Sequence, residues 1–108
     1  MEKIKVGGIW YEIKEVPAVD IAGDKNYLGA CDYENQIIEI IEILGSLPET
    51  RKRQVLIHEL THAILYEAGY QEHDEELVER FSIVAYQVIE DLGKGEEKIW
   101  QKGNTPTG

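Results

Sequence analysis

The stretch Val55-Leu56-Ile57-His58-Glu59-Leu60-Thr61-His62-Ala63-Ile64-Leu65-Tyr66 decides how this chain folds and what it can bind. Its centre holds two histidines four positions apart, with a glutamate directly after the first. On an α-helix, residues at this spacing project from the same face, one turn from each other. Because almost every other residue of the stretch is apolar, we expect the helix to be buried on most sides. The three polar side chains then need partners there.

A bound metal ion accounts for all three polar groups together. Two imidazoles at this spacing can bind one Zn²⁺, and the glutamate between them can act on a metal-activated water as general base. A chance occurrence of the same five letters is expected on an exposed, charged helix, without apolar residues on both sides. The sequence therefore predicts zinc as cofactor, with His58 and His62 as ligands and Glu59 as the catalytic base.

Length and composition restrict the remaining possibilities. The chain has 108 residues, of which 43% are hydrophobic, and this predicts one globular domain with a modest core. The formal net charge of −10 argues against nucleic acid or an anionic membrane as partner. The single cysteine, Cys31, excludes an intramolecular disulfide and is expected as a small buried apolar residue. Without a signal peptide or a long apolar segment, the expected location is the cytoplasm.

The first third of the chain has the pattern of β-strands. Two alternating runs flank a Gly7-Gly8 turn, and two further runs follow, so that strands are predicted at residues 4–6, 9–13, 27–33 and 36–43. Residues 17–26 are predicted to form a loop. The spacing of apolar residues in 36–43 fits a helix about as well as a strand, but the branched isoleucines and the flanking turn residues favour a strand.

The motif lies on the first of two predicted helices. This helix is expected from about residue 49 to 68, with Ser46 or nearby backbone as its cap and Pro48 near its first turn. Gly69 is its natural C-terminal stop.

The second predicted helix extends from about residue 75 to 92, between Asp74 as N-cap and Gly93 as its end. One of its faces is apolar at a spacing that predicts packing on another helix, and consists of Leu77, Val78, Phe81, Val84, Ala85, Val88, Ile89 and Leu92. Residues 94–108 are predicted to be a flexible C-terminal tail, which leaves residues 1–93 as the single domain. The fold class is therefore α+β, with an N-terminal antiparallel β-sheet, the motif helix, and a C-terminal helix packed against it.

A catalytic zinc site needs a third protein ligand beside the two histidines. The start of the second helix supplies the candidates, which are His73, Asp74, Glu75, Glu76 and Glu79. At about 100° per residue, Glu75 lies at the edge of the apolar face that meets the motif helix, so it is the carboxylate best placed to join the histidines. Glu79, one turn on, lies on the same side and is expected to accept a hydrogen bond from the far nitrogen of a zinc-bound histidine. Both Glu76 and Glu79 are expected to point further toward solvent than Glu75.

At these residues the chain resembles the gluzincin side of the zincin metallopeptidases, and more narrowly the small ImmA/IrrE-like metallopeptidases with their compact phage and prophage relatives. The resemblance is carried by His58-Glu59-Leu60-Thr61-His62-Ala63-Ile64-Leu65, by residues 73–82, and by residues 28–33 with the isoleucine-rich strand after them. It implies a small zincin-like domain over roughly residues 4–92. In that family a glutamate followed four residues later by Asn, Asp or Glu supplies the third ligand, which maps onto Glu75 with Glu79.

The resemblance implies a zinc metallopeptidase that hydrolyses peptide bonds, with Glu59 taking a proton from the metal-activated water and returning it to the leaving amine. A protein or peptide substrate is expected to pair with an edge strand, for which residues 36–43 are the predicted strand. A further donor to the oxyanion is expected, and the unranked candidates are Tyr33, His73 and Tyr86. The alternative is a non-catalytic, zinc-containing phage or prophage binding protein that keeps the fold, against which the intact Glu59 argues. A structural zinc domain would normally close the shell with Cys or His and omit Glu59.

Overall fold

The structure is a computed structural model that describes residues 2–42 and 49–103, the stretch 95–103 by its backbone alone. In these ranges six strands precede two helices: β1 (Glu2–Val6), β2 (Ile9–Val16), β3 (Val19–Ile21), β4 (Asp24–Tyr27), β5 (Gly29–Asp32), β6 (Ile37–Ile41), α1 (Glu49–Glu67) and α2 (Glu75–Gly103). The predicted α+β class is confirmed. Neither of these helices combines the length and the apolar content needed to cross a membrane.

Four of the strands form one sheet in the order β1-β2-β6-β5. β1 and β2 are the antiparallel hairpin predicted across Gly7-Gly8, where both glycines have positive φ, 58° and 89°, a conformation that costs glycine little. β6 pairs in parallel with β2 and antiparallel with β5. The sheet is therefore mixed and not wholly antiparallel as predicted, because the connection at residues 17–36 is long enough to bring β6 back in the direction of β2.

β6 is an internal strand of this sheet, and β5 lies at its edge. The prediction that the strand at residues 36–43 offers an edge to a substrate is therefore wrong. Ile38 and Ile40 are buried at 0% and 4% exposure, and a strand with isoleucine at most positions gains most where both of its faces are covered. Ile43 lies outside the described residues.

The predicted loop at residues 17–26 contains a short hairpin of β3 and β4. Its turn has positive φ at Ala22 and Gly23, and Gly23 N donates to Asp20 Oδ1 at 2.8 Å. Most side chains of this hairpin are exposed. A strand without a buried face does not need apolar residues at alternate positions, and this alternation is the pattern from which a strand is predicted.

α1 packs on one face of the sheet and ends one residue before the predicted position. The core between them consists of Val6, Tyr11, Ile38, Ile40, Val55, Leu60 and Ala63. Tyr11 donates its hydroxyl hydrogen to Glu67 Oε2 at 2.6 Å, which holds the end of α1 against β2. The predicted cap at Ser46 and Pro48 lies outside the described residues.

α2 starts where predicted but continues further. Asp74 is its N-cap, with Oδ1 accepting from Glu76 N at 3.0 Å and the carbonyl oxygen accepting from Val78 N at 2.9 Å. The helix continues through Gly93, which was predicted to end it, to Gly103. A glycine lowers helix stability by about 1 kcal/mol but keeps its backbone donor and acceptor, and the Glu and Lys residues after Gly93 are good helix formers. The predicted division between a domain and a flexible tail stays a prediction.

The apolar face of α2 is largely exposed. Val78 is fully buried. The other large apolar side chains of this face are between 43% and 60% exposed, namely Leu77, Phe81, Val84, Val88, Ile89 and Leu92. The prediction that this whole face packs on another helix is therefore wrong. α2 instead turns Val78 and Ser82 inward, and its acidic side chains meet α1, Glu75 and Glu79 at the motif histidines and Glu90 at Arg53. These polar contacts set the rotation of the helix.

Candidate metal centre

Three side chains from the two helices converge on one point. His58 and His62 lie one turn apart on α1, and Glu75 opens α2 opposite them. Glu75 Oε2 is 3.1 Å from His62 Nε2, and Glu75 Oε1 is 3.6 Å from His58 Nε2. Ligand atoms arranged tetrahedrally at bond lengths of 2.0–2.2 Å lie about 3.3–3.6 Å from one another. The three groups therefore have the spacing to hold one metal ion.

The chemistry of these donors fits zinc. Two imidazoles and one carboxylate are a donor set of catalytic zinc sites, in which the fourth position stays open. The cluster borders an open groove of about 490 Å³, called the β5 groove here and lined by Ile21, Tyr27, Gly29, Ala30, Cys31, Tyr33, His58, Glu59, His62 and Glu75. Since the Glu75 side chain is 71% exposed, the cluster is accessible from the solvent side.

The far nitrogen of His58 contacts the second acidic residue of α2. His58 Nδ1 is 3.0 Å from Glu79 Oε1, a hydrogen bond that places the proton on Nδ1 and leaves Nε2 free to face the cluster. This is the contact predicted for Glu79. Glu76 instead forms an exposed pair with Arg80, 3.1 Å between Oε2 and Nη2, and contacts neither histidine. The role of Glu75 as a metal ligand stays a prediction, as does the role of Glu79 as the hydrogen-bond partner of a metal-bound histidine.

Glu59 lies beside the cluster and is buried at 8% exposure. Burial, and to a smaller extent the negative charge of Glu75, together raise the pKa of its carboxyl to about 7. A carboxyl group with a pKa near neutrality can both take up and give back a proton at physiological pH. Glu59 therefore has the properties of a general base and acid.

His62 is the more buried of the two motif histidines. Burial lowers its pKa, against the opposing effect of the Glu75 carboxylate, so the neutral form that binds metals is favoured. His73, one of the predicted candidates for third ligand, lies behind His62 and not at the cluster. Its Nδ1 is 2.8 Å from His62 Nδ1, and its Nε2 is 2.7 Å from the Tyr70 carbonyl oxygen.

Residues 18–89 match the family of IrrE N-terminal-like domains, peptidase family M78. The matched range spans the motif helix, Glu75, Glu79 and His73. The chain belongs to this family. No curated protein and no solved structure matches it. The resemblance predicted from the sequence is thus confirmed, and the family to which the chain belongs is a peptidase family.

In this IrrE N-terminal-like domain, a glycine brings the edge strand β5 close to Glu59. A Cβ atom at Gly29 would lie 2.7 Å from Val55 Cγ1 and 3.1 Å from Glu59 Cγ, and contacts under 3.0 Å are essentially never seen for real Cβ atoms. Only glycine therefore lets β5 approach α1 at this point. The signal in the sequence for this close approach is a lone glycine within a strand pattern, which Gly29 is.

Of the three candidates for the oxyanion donor, Tyr33 lines the β5 groove, whereas His73 and Tyr86 are not among its lining residues. The ring of Tyr33 stacks on Tyr66, with centroids 4.3 Å apart and planes inclined by 7°. Burial raises the pKa of Tyr33 to about 12, so its hydroxyl stays a donor at neutral pH. Cys31 also lines the groove, but burial raises the pKa of its thiol to about 12, which disfavours the thiolate needed in a nucleophile or a metal ligand.

Proposed function

We propose that this chain is a zinc-dependent metallopeptidase that hydrolyses peptide bonds in a protein or peptide substrate. The observation that carries the proposal is the convergence of His58, His62 and Glu75 beside a buried Glu59, in a chain that belongs to a peptidase family. A zinc ion held by these three side chains would polarise the scissile carbonyl group and lower the pKa of water to near neutrality.

Glu59 is proposed to move the proton of the reaction. Its carboxylate takes a proton from the attacking water, and the resulting acid returns that proton to the leaving amine. A pKa raised to about 7 by burial lets the same group serve in both directions near neutral pH. Tyr33, which lines the β5 groove and keeps its hydroxyl protonated, is the proposed donor to the oxygen on which negative charge develops.

The substrate is proposed to lie along β5 in extended form. Within the described residues β5 is paired on one side only, by β6, so its second side offers backbone donors and acceptors to a peptide. The close approach at Gly29 brings that edge next to Glu59. Pairing there would place a peptide bond at the entrance of the cluster.

A matched pair of variants tests the proposed reaction. Glu59→Gln keeps the size of the side chain and both histidines but cannot accept the proton, so we expect one zinc per chain as in the parent and a cleavage rate lower by about 10²–10⁴-fold. Glu76→Gln, an exposed glutamate away from the cluster, should cleave like the parent. Cleavage is measured by mass spectrometry on a broad peptide library, with zinc content measured on the same samples.

Three outcomes would contradict the proposal. Cleavage by the Glu59→Gln variant at the parental rate would exclude Glu59 as the base. A zinc content below about a tenth of an equivalent after reconstitution would exclude the metal site, since the ligands predict full occupancy. A parent that holds one zinc but cleaves nothing in the library would favour the non-catalytic binding protein, for which the exposed apolar face of α2 offers a surface.

A further inference from the structure

We infer that His73 is a positioning residue that holds the proton of His62 on Nδ1 and thereby leaves His62 Nε2 free for the metal. The inference rests on the proposed metal site, but it assigns His73 to the hydrogen bond behind His62 and not to the metal itself. Two contacts of His73, to Tyr70 and to His62, carry the argument.

The Tyr70 contact fixes the tautomer of His73. A carbonyl oxygen only accepts hydrogen bonds, so His73 Nε2, 2.7 Å from Tyr70 O, must carry a hydrogen and donate it. In a neutral imidazole the other nitrogen then has no hydrogen and can only accept. His73 Nδ1 is therefore an acceptor.

The tautomer of His62 follows from that of His73. The two Nδ1 atoms are 2.8 Å apart, so His62 Nδ1 must donate to the acceptor at His73 Nδ1. The ring centroids are 5.0 Å apart, farther than these nitrogens, so the rings meet edge to edge with the nitrogens between them. With its hydrogen on Nδ1, His62 presents a lone pair at Nε2, the atom that lies 3.1 Å from Glu75 Oε2. The opposite tautomer would direct an N–H group at the metal position.

The end of α1 holds this arrangement in place. Gly69 has φ of 104°, and Tyr70 N donates back to Leu65 O at 2.9 Å, which fixes the backbone directly before the Tyr70 carbonyl group. The Tyr33 hydroxyl is 3.5 Å from His73 Nδ1, too long to displace the shorter bond from His62. The two motif histidines thus have different supports, the carboxylate of Glu79 for His58 and the imidazole of His73 for His62.

The first test measures the tautomer directly. Long-range nitrogen–proton correlation spectra of the zinc-loaded full chain distinguish a hydrogen on Nδ1 of a histidine from one on Nε2, and the proton shift reports whether that hydrogen is hydrogen-bonded. We expect His62 in the parent to carry its hydrogen on Nδ1 with the downfield proton shift of a hydrogen bond to His73, and His73→Leu, which keeps bulk but removes the acceptor, to lose that downfield shift. His62 with its hydrogen on Nε2 in the parent, or the same Nδ1 proton shift in parent and variant, would overturn the inference.

The second test measures zinc affinity by competition with a chromogenic chelator. We expect His73→Leu to bind zinc about 10–100-fold more weakly than the parent, as for the loss of other hydrogen-bond partners of metal-bound histidines. His73→Asn, whose Oδ1 can accept from His62 Nδ1, should recover affinity to within about tenfold of the parent. The matched control is Glu72→Gln, an exposed neighbour, which should leave affinity unchanged.

The outcomes separate this inference from the proposed function. Parental zinc affinity in His73→Leu, or equal losses in the Leu and Asn variants, would overturn the role of His73 while leaving the metal site intact. A parent that binds no zinc would overturn the proposed function, and the role of His73 in metal binding with it.

Discussion

At the residue scale, the groups around the cluster are held in complementary protonation states by their neighbours. Glu79 accepts a hydrogen bond from Nδ1 of His58, and His73 is inferred to accept one from Nδ1 of His62. Both Nε2 atoms, which lie on the side of Glu75, are then free to bind a metal ion. Burial favours the neutral form of His62 and raises the pKa of Glu59 to about 7. His62 is therefore in the form that the proposed metal site needs, and Glu59 has a pKa suited to the proposed general base at neutral pH.

The distances predict a hierarchy among the acidic residues at the start of α2. Glu75→Ala removes the oxygen atoms that lie 3.1 Å and 3.6 Å from the histidine nitrogens, so we expect zinc affinity to fall by more than about 100-fold, beyond the 10–100-fold expected for Glu79→Ala. Glu76→Ala, which removes only an exposed contact to Arg80, should bind zinc like the parent. Competition with a chromogenic chelator measures all three. Equal affinities of the Glu75 and Glu76 variants would remove Glu75 from the ligand set.

Much of this site could be predicted from the sequence because its signals are local. The spacing of His58 and His62 places them on one helix face, and Asp74 fixes the start of α2, so the angular position of Glu75 follows by counting residues. The role of His73 could not be found in this way. It depends on the path of residues 68–74 after the Gly69 turn, which sequence periodicity does not describe.

At the element scale, the end of α1, the start of α2 and the Gly7-Gly8 hairpin were predictable, whereas the end of α2 and the neighbours of each strand were not. A glycine in a turn or an aspartate at a cap acts within a few residues. The parallel pairing of β2 with β6 joins residues far apart in the chain, and no local pattern distinguishes it from antiparallel pairing. The strand at the edge of the sheet is therefore β5, and not the strand predicted at residues 36–43.

The rotation of α2 has a similar explanation. The apolar residues of α2 predict one contact face. Glu75 and Glu79 instead contact α1 through a neighbouring face, so the observed rotation of α2 is the one that brings these two glutamates to the motif histidines. Two apolar positions that look equivalent in the sequence are consequently different in the fold. Val78 is fully buried, and Val84 is 60% exposed.

The same substitution at these two valines tests that rotation. Val78→Ala removes buried methyl groups and should lower the free energy of unfolding by about 1–3 kcal/mol. Val84→Ala removes exposed ones and gains helix propensity, so it should change stability by less than about 0.5 kcal/mol. Urea unfolding followed by circular dichroism gives both values. Equal losses at the two positions would show that the apolar face of α2 is buried in solution.

At the scale of the whole molecule, the cluster joins the two helices. α1 contributes His58 and His62 and packs on the sheet, while α2 contributes Glu75 and contacts the rest of the chain mainly through α1. A metal ion bound by all three would therefore tie α2 to the sheet through α1. Because such a site exists only in the folded chain, binding energy adds directly to folding stability.

This arrangement predicts a thermal stability that depends on zinc and on Glu75 together. At free zinc about 100 times its Kd, the parent should gain about 2.7 kcal/mol, which raises the Tm of a chain this size by roughly 10–20 °C. Adding a chelator should reverse the gain, as measured by calorimetric scans of metal-free and zinc-loaded protein. Glu75→Ala should lose most of the gain at the same zinc concentration, because it leaves both ligands on α1 and none on α2. The Glu76→Ala control should keep it. An equal rise in Tm for the Glu75 and Glu76 variants would place the zinc elsewhere on the chain, and the bridge between the helices would be excluded.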